Sequence, residues 1–262
     1  RGAGVHFSAN DTVSRVAVSH GSGTPLHLSS DGTSVLSLVS DSVGRVHIRS
    51  SGEDLNREFG SEEQVLAVSD DASVAITVSA QGSSVVVSAV PLSVNQSTRI
   101  AGSSMTIPDF QLSADATFAR ASAPGMVYVA LHGSRVLSYH IESHQMREAV
   151  CLGKIQGFVS AMTVSLPSHS LFAAVQLGVG QVNELWVAQL SQYGGFSSDA
   201  TCEALPIQAR VGLVRAMAVS PDGLFLVLAE DDVDNPQRQT LRTVSIMTGL
   251  FTFLSEVDTE LA

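Results

Sequence analysis

Apolar positions in this chain come in short runs broken by polar turns, and one phrase introduces several of the runs. It is an apolar residue, Ser, any residue, Asp, a small residue, two further positions and an apolar residue. It reads Leu28-Ser29-Ser30-Asp31-Gly32 before Val35, and Ala67-Val68-Ser69-Asp70-Asp71-Ala72 before Val74. It returns as Leu112-Ser113-Ala114-Asp115-Ala116-Thr117-Phe118 and, most clearly, as Val219-Ser220-Pro221-Asp222-Gly223-Leu224-Phe225. A degenerate copy, Val164-Ser165-Leu166-Pro167-Ser168 before Leu171, has Pro167 in the Asp place. With anchors at 31, 71, 115, 167 and 222, the spacings are 40, 44, 52 and 55 residues. A period of about 40–50 residues suits a repeating unit of four strands, lengthened here by insertions in the later copies.

The phrase has a physical meaning. A strand ends, Asp accepts hydrogen bonds from nearby backbone N–H groups, Gly supplies a positive φ, and a second strand begins. The runs that follow, Leu224-Phe225-Leu226-Val227-Leu228 and Leu171-Phe172-Ala173-Ala174-Val175, are continuously apolar, as in strands covered on both faces by neighbouring sheets. Third strands are expected at 44–48, 82–87, 133–139, 184–188 and 241–246. Weaker and more polar outer strands are expected at 54–59, 98–101, 145–150 and 251–257, since an outer strand lies at a solvent-exposed edge.

Composition agrees with an all-β chain. Among 262 residues there are 38 Ser and 21 Gly, with frequent Val and Thr, and the strong helix formers Glu, Lys and Gln rarely cluster. Hydrophobic residues make up 44% and charged residues 15%, which excludes a disordered chain. No apolar run reaches the roughly 18 residues that span a bilayer, so no membrane span is expected, and no leader is visible behind Arg1. The 14 Lys+Arg against 25 Asp+Glu give a net charge of −11, spread evenly over both halves. Lys154 is the only lysine, so direct binding to a nucleic-acid backbone is not expected. Cys151 and Cys202 make neither a disulfide framework nor a zinc site, and pair only if the fold brings them together. A reducing, intracellular setting in cytoplasm or nucleus is the expectation.

The Ser-Pro-Asp-Gly phrase at 220–223 and its cousins at 29–32, 69–72 and 113–116 resemble the turns of WD40-like β-propellers. The resemblance covers most of the chain. It departs from the WD40 pattern in having no Gly-His opening and no Trp-Asp close; Arg49-Ser50 and Tyr139-His140 stand in the closing places. The resemblance implies a single propeller domain over 1–262 with six four-stranded blades as the central expectation, within five to seven. The blades are drawn at 25–62, 63–105, 106–152, 153–210 and 211–262. Residues 1–24, where Phe7-Ser8-Ala9-Asn10 offers a partial anchor, supply partial or closing strands.

Propellers host both catalysis and pure recognition, so function rests on residues. No Gly-x-Ser-x-Gly elbow occurs, and His20-Gly21-Ser22-Gly23 reads as a loop. His140-Ile141-Glu142-Ser143-His144 would offer three metal ligands on one face of a strand, but reads as a hairpin turn between a third and an outer strand. Glu230-Asp231-Asp232-Val233-Asp234-Asn235 is rich in oxygen but lacks the EF-hand spacing, and reads as a solvated inter-strand insertion. Gly178-Val179-Gly180 reads as a turn, and the sequons at Asn10 and Asn95 match the number chance would supply within a factor of two. Trp186 reads as core, and Tyr193-Gly194-Gly195-Phe196 as a loop with two exposed aromatics suited to a partner. His27 is a possible channel residue.

These readings leave no catalytic, cofactor-binding or metal residue to name, and no cofactor. The expectation is a non-enzymatic scaffold that binds other proteins, one subunit of a larger assembly, with docking in insertions at 52–64, 91–109, 191–204 and 230–240. The alternative is a lactonase-like propeller hydrolase with a site in its central channel.

Overall fold

The computed structural model describes, with side chains, residues 63–69, 71, 73–92, 104–108, 119–131, 133–178, 183–197, 199–235 and 238–254; for six earlier strands and for 255–257 it describes the backbone alone. Among these residues all regular structure is strand, apart from a single 3₁₀ turn at Leu152–Lys154. The strands are β1 Val5–Ala9, β2 Thr12–Val16, β3 Leu26–Leu28, β4 Val35–Ser40, β5 Val46–Ser50, β6 Glu53–Asn56, β7 Glu63–Val68, β8 Val74–Gln81, β9 Ser84–Pro91, β10 Ser104–Ile107 and β11 Arg120–Ala123. They continue with β12 Met126–Ala130, β13 Val136–His140, β14 Gln145–Glu148, β15 Phe158–Ser165, β16 Ser170–Gln176, β17 Asn183–Gln189, β18 Cys202–Ala204, β19 Val214–Val219, β20 Phe225–Asp231, β21 Gln239–Ser245 and β22 Phe251–Val257.

They form a β1–β2 hairpin and five four-stranded antiparallel meanders, each in chain order: β3 to β6, β7 to β10, β11 to β14, β15 to β18, and β19 to β22. In the first, second, fourth and last meanders the repeat phrase sits between the first and second strand, whereas the copy at 112–118 falls between β10 and β11, ahead of the first strand of its sheet. In the second meander Ser69 Oγ donates to Asp71 Oδ1 (2.6 Å), the Ser73 N–H donates to the same oxygen (3.0 Å), and the Val74 N–H donates to Ser69 Oγ (3.0 Å). In the last meander Ser220, Asp222, Leu224 and Phe225 repeat those three bonds at 2.5, 3.0 and 2.9 Å. Asp is thus the hub of a five-residue turn, and Gly223 takes φ +73°. The copy with Pro167 forms a shorter turn in which His169 takes the positive φ of 46°. The copies at 31 and 115 lie outside the described residues.

The last four meanders pack face to face. Alternation along β12 sends Val127 and Val129 to the core shared with Ile76, Val85 and Val87, and Tyr128 and Met126 to the core shared with Met162, Leu171 and Ala173. Along β16, Phe172 and Ala174 face the last meander's Leu226, Leu228 and Val244. Continuous apolar runs therefore mark strands buried on both faces. The last meander is the exception: Leu226 and Leu228 are buried, while Phe225 on the opposite face is 44% exposed and Ala216 and Ala218 stand open.

Three first strands carry a bulge at a corresponding place, between Val65 and Ala67, Val159 and Ala161, and Val214 and Ala216. A bulge bends the strand and re-aims the extra side chain. In β19 that side chain is Arg215, which grips Asp231 through Nε (3.1 Å) and Nη2 (2.7 Å).

Several expectations shift. The outer strand of the second meander is Ser104–Ile107, inside the segment read as an insertion at 91–109; positions 98–101 lie outside the described residues. The 191–204 insertion likewise ends in a strand, β18. Cys151 and Cys202 are bonded to each other, 51 residues apart in sequence, joining the segment after β14 to β18 of the next sheet. The pairing that the sequence leaves open is thus made between two sheets.

Candidate functional site

The outer half of the β11–β14 sheet carries a polar surface, and register explains it. Tyr128 pairs with Ser138, Ser138 with Arg147, Met126 with His140, and His140 with Gln145. Paired residues share a face, so one face runs from Met126 and Tyr128 on β12, through Ser138 and His140 on β13, to Gln145 and Arg147 on β14. The inner part packs against the next sheet; the outer part would lie bare but for the 191–197 loop of that next sheet.

That loop is fixed from beneath. Tyr128 Oη donates to the Gly194 carbonyl at 2.5 Å, and the Phe196 ring meets the Tyr128 ring edge-on, centroids 6.0 Å apart. Burial pushes the Tyr128 phenol up, so it remains a donor at any physiological pH. The loop closes on itself through the Ser191 N–H to the Gly195 carbonyl and the Gly194 N–H to the Ser191 carbonyl, both 2.9 Å. Gly194 has φ +82°, and a Cβ there would stand 3.0 Å from Met126 Cγ and 3.2 Å from Tyr128 Oη, so glycine is required for two reasons. The two aromatics expected to be exposed divide: Phe196 is buried, and Tyr193 projects with 71% of its surface free.

Between sheet and loop lies a cavity of about 250 Å³, lined by Met126, Ser138, His140, Ser143, Gln145, Arg147, Ser191, Tyr193 and Gly195. It joins two segments that sequence reading singled out separately, 140–144 and 193–196. Arg147 spans them: Nη1 donates to the Phe196 carbonyl (3.3 Å) and Nη2 to Gln145 Oε1 (3.1 Å). Among the described residues no carboxylate lines the cavity.

The 140–144 segment is the turn between β13 and β14, with His144 at φ 55°. Its two histidines have different partners: His140 Nδ1 accepts from the Ser143 N–H (3.1 Å), and His144 Nδ1 lies 3.1 Å from Tyr139 Oη. Nothing converges them with Glu142 on a metal, and no metal-ligand cluster occurs among the described residues. The acidic 230–235 segment is not one solvated insertion. Glu230 and Asp231 belong to β20; Glu230 is buried, ion-paired to Arg242, and accepts from the Gly212 N–H at 2.7 Å. Asp232 caps a turn by accepting from the Asp234 N–H (2.8 Å). Trp186 is half-buried against the core, its Nε1 donating to Glu184 Oε2 (3.0 Å). The His27 side chain, positions 20–23 and 179–180, Asn10 and Asn95 lie outside the described residues, as does much of 52–64 and 91–109.

Comparison with solved structures places this architecture. An oligogalacturonate lyase in complex with manganese superposes with TM-score 0.57 over 94% of this chain and 68% of that one, at 12% identity. The chain has the β-propeller fold. *Kluyveromyces lactis* Hsv2 gives TM-score 0.50 at 9% identity, covering 89% of this chain and 64% of that one. TolB from *Acinetobacter baumannii* gives 0.48 at 11% identity over 90% of this chain, which spans 53% of the TolB chain. No family model matches the sequence, and no curated protein matches it. Among the described residues no helix is long and apolar enough to cross a membrane.

Proposed function

We propose that the chain is a non-catalytic, WD40-like propeller acting as a protein–protein interaction scaffold within a larger assembly, and that the cavity beneath the 191–197 loop is a docking point. The observation carrying this reading is the cavity itself: two adjacent sheets build it, and its rim holds an exposed aromatic, Tyr193, on a loop locked by Tyr128 and Phe196. A large exposed ring on a rigid frame is the kind of anchor that concentrates binding energy, because little freedom is lost when it is covered. The cavity offers hydroxyls, an amide, an imidazole and a guanidinium, which suit recognition, with no pair of acid and base aimed at a common point.

The test is affinity capture of the tagged chain, wild type beside Tyr193→Ala, with quantitative mass spectrometry. Stoichiometric partners that the wild type retains and the variant loses support the reading. Partners retained equally by both, or turnover of lactones or esters by the purified chain, overturn it.

A further inference from the structure

Three arginines are each matched to a carboxylate within their own sheet: Arg135 with Glu148, Arg215 with Asp231, and Arg242 with Glu230. Arg147 is not. It lines the cavity, and among the described residues its bonds go to two neutral acceptors, the Phe196 carbonyl and the Gln145 amide. A guanidinium has five N–H donors, so about three remain uncommitted. Beside it in register stands Ser138, a buried residue that lines the same cavity. A hydroxyl and a guanidinium with uncommitted donors, side by side on one wall of one cavity, suit an anionic oxygen. In a chain of net charge −11 the lack of a carboxylate among the described residues of this lining sharpens the point.

The neighbouring backbone indicates what carries that oxygen. β14 is the outermost strand of its sheet, paired only to β13, and no backbone hydrogen bond leaves its far edge among the described residues. An open strand edge beside a side-chain pocket is the arrangement that receives an extended peptide, main chain along the edge and an alternate side chain in the pocket.

We propose that the cavity seats an aspartate or glutamate side chain of an extended acidic peptide from the partner. Arg147 makes the ion pair, Ser138 donates its hydroxyl, and Tyr193 covers the peptide from the loop side. This rests on the scaffold reading and specifies its partner.

The experiment is fluorescence anisotropy with the full chain and three labelled peptides sharing a Val/Thr background, with Glu, Gln or Lys at alternate positions. Arg147→Gln is compared with Lys154→Gln, a charge-matched change outside the cavity, and thermal unfolding confirms that both variants fold. The Glu peptide is expected to bind the wild type and Lys154→Gln alike, with about tenfold or greater loss for the Gln peptide and for Arg147→Gln. Competition by inorganic phosphate as strong as by the Glu peptide, equal binding of Glu and Gln peptides, or indifference to Arg147→Gln overturns the proposal. If captured partners are lost with Tyr193→Ala but kept with Arg147→Gln, the scaffold reading stands and the acidic-peptide assignment falls.

Discussion

At the scale of the residue, Asp71 and Asp222 do the same work 151 positions apart (222 − 71). Burial acts to raise the Asp71 carboxyl, but hydrogen bonds from the Ser69 hydroxyl and from the Ser73 hydroxyl and N–H outweigh it and hold the group below the usual carboxylate range. For Asp222 the Ser220 hydroxyl and the Leu224 N–H lower it with little opposition. A carboxylate whose folded pKa is depressed contributes stability that is fully present above its unfolded value, and that is lost as pH falls through the folded one. Replacing both by Asn keeps an acceptor and removes the charge. The Asp71→Asn/Asp222→Asn chain is therefore expected to melt below the wild type at neutral pH, with the gap closing once pH drops below about 4. Thermal unfolding followed by circular dichroism from pH 7 to pH 2 reads this directly; a gap that persists unchanged at pH 2 contradicts the assignment of charge to these turns. These two residues were legible in the sequence because every bond they make lies within five positions of the anchor serine.

At the scale of the element, legibility falls as partners become remote. Second strands such as β16 announce themselves by continuous apolar runs, since they are buried on both faces. Outer strands divide: β14 and β22 lie where the sequence places them, whereas β10 and β18 are short, polar and partly exposed, and only pairing to β9 and β17 defines them. The acidic run misleads for the same reason, because Glu230 and Asp231 owe their places to Arg242 and Arg215, which sequence does not tie to them. The cavity is the extreme case. The Tyr-Gly-Gly-Phe segment and the His-Ile-Glu-Ser-His segment each stood out, but their juxtaposition depends on Tyr128, in a third place. That dependence is testable. Tyr128→Phe deletes the bond to the Gly194 carbonyl and leaves a buried acceptor unsatisfied, which costs about 1–3 kcal/mol. Gly194→Ala forces an alanine into positive φ against Met126. Both changes are expected to speed amide hydrogen exchange across 191–197 and to weaken whatever binds at Tyr193, while β16 and β17 exchange as before. Unchanged exchange in the loop would mean that Tyr128 does not hold it.

At the scale of the whole molecule, each sheet is completed by the next, and energy is shared across three cores that run from β7 to β22. The last meander shows what this means by contrast, with one face packed on β15–β18 and Phe225 and Ala216 left open on the other. Within this row the Cys151–Cys202 bond acts between sheets rather than within one: it ties the end of the β11–β14 sheet to β18, the outer strand of its neighbour, where packing is thinnest. The same two sheets form the cavity, so the bridge also fixes the spacing of its walls. Closing a loop of 51 residues restricts the unfolded chain by an amount worth about 4 kcal/mol in the chain-entropy account. For a chain of this length that corresponds to about 10 °C in Tm. Wild type treated with dithiothreitol is expected to melt about that much lower, at the temperature of the Cys151→Ser/Cys202→Ser chain, which itself ignores the reductant. Equal melting of reduced and oxidised wild type would show that the bond adds nothing across the interface. A large loss in Tm together with weaker peptide binding would place sheet-to-sheet spacing, and with it the redox state of this pair, in control of the docking site.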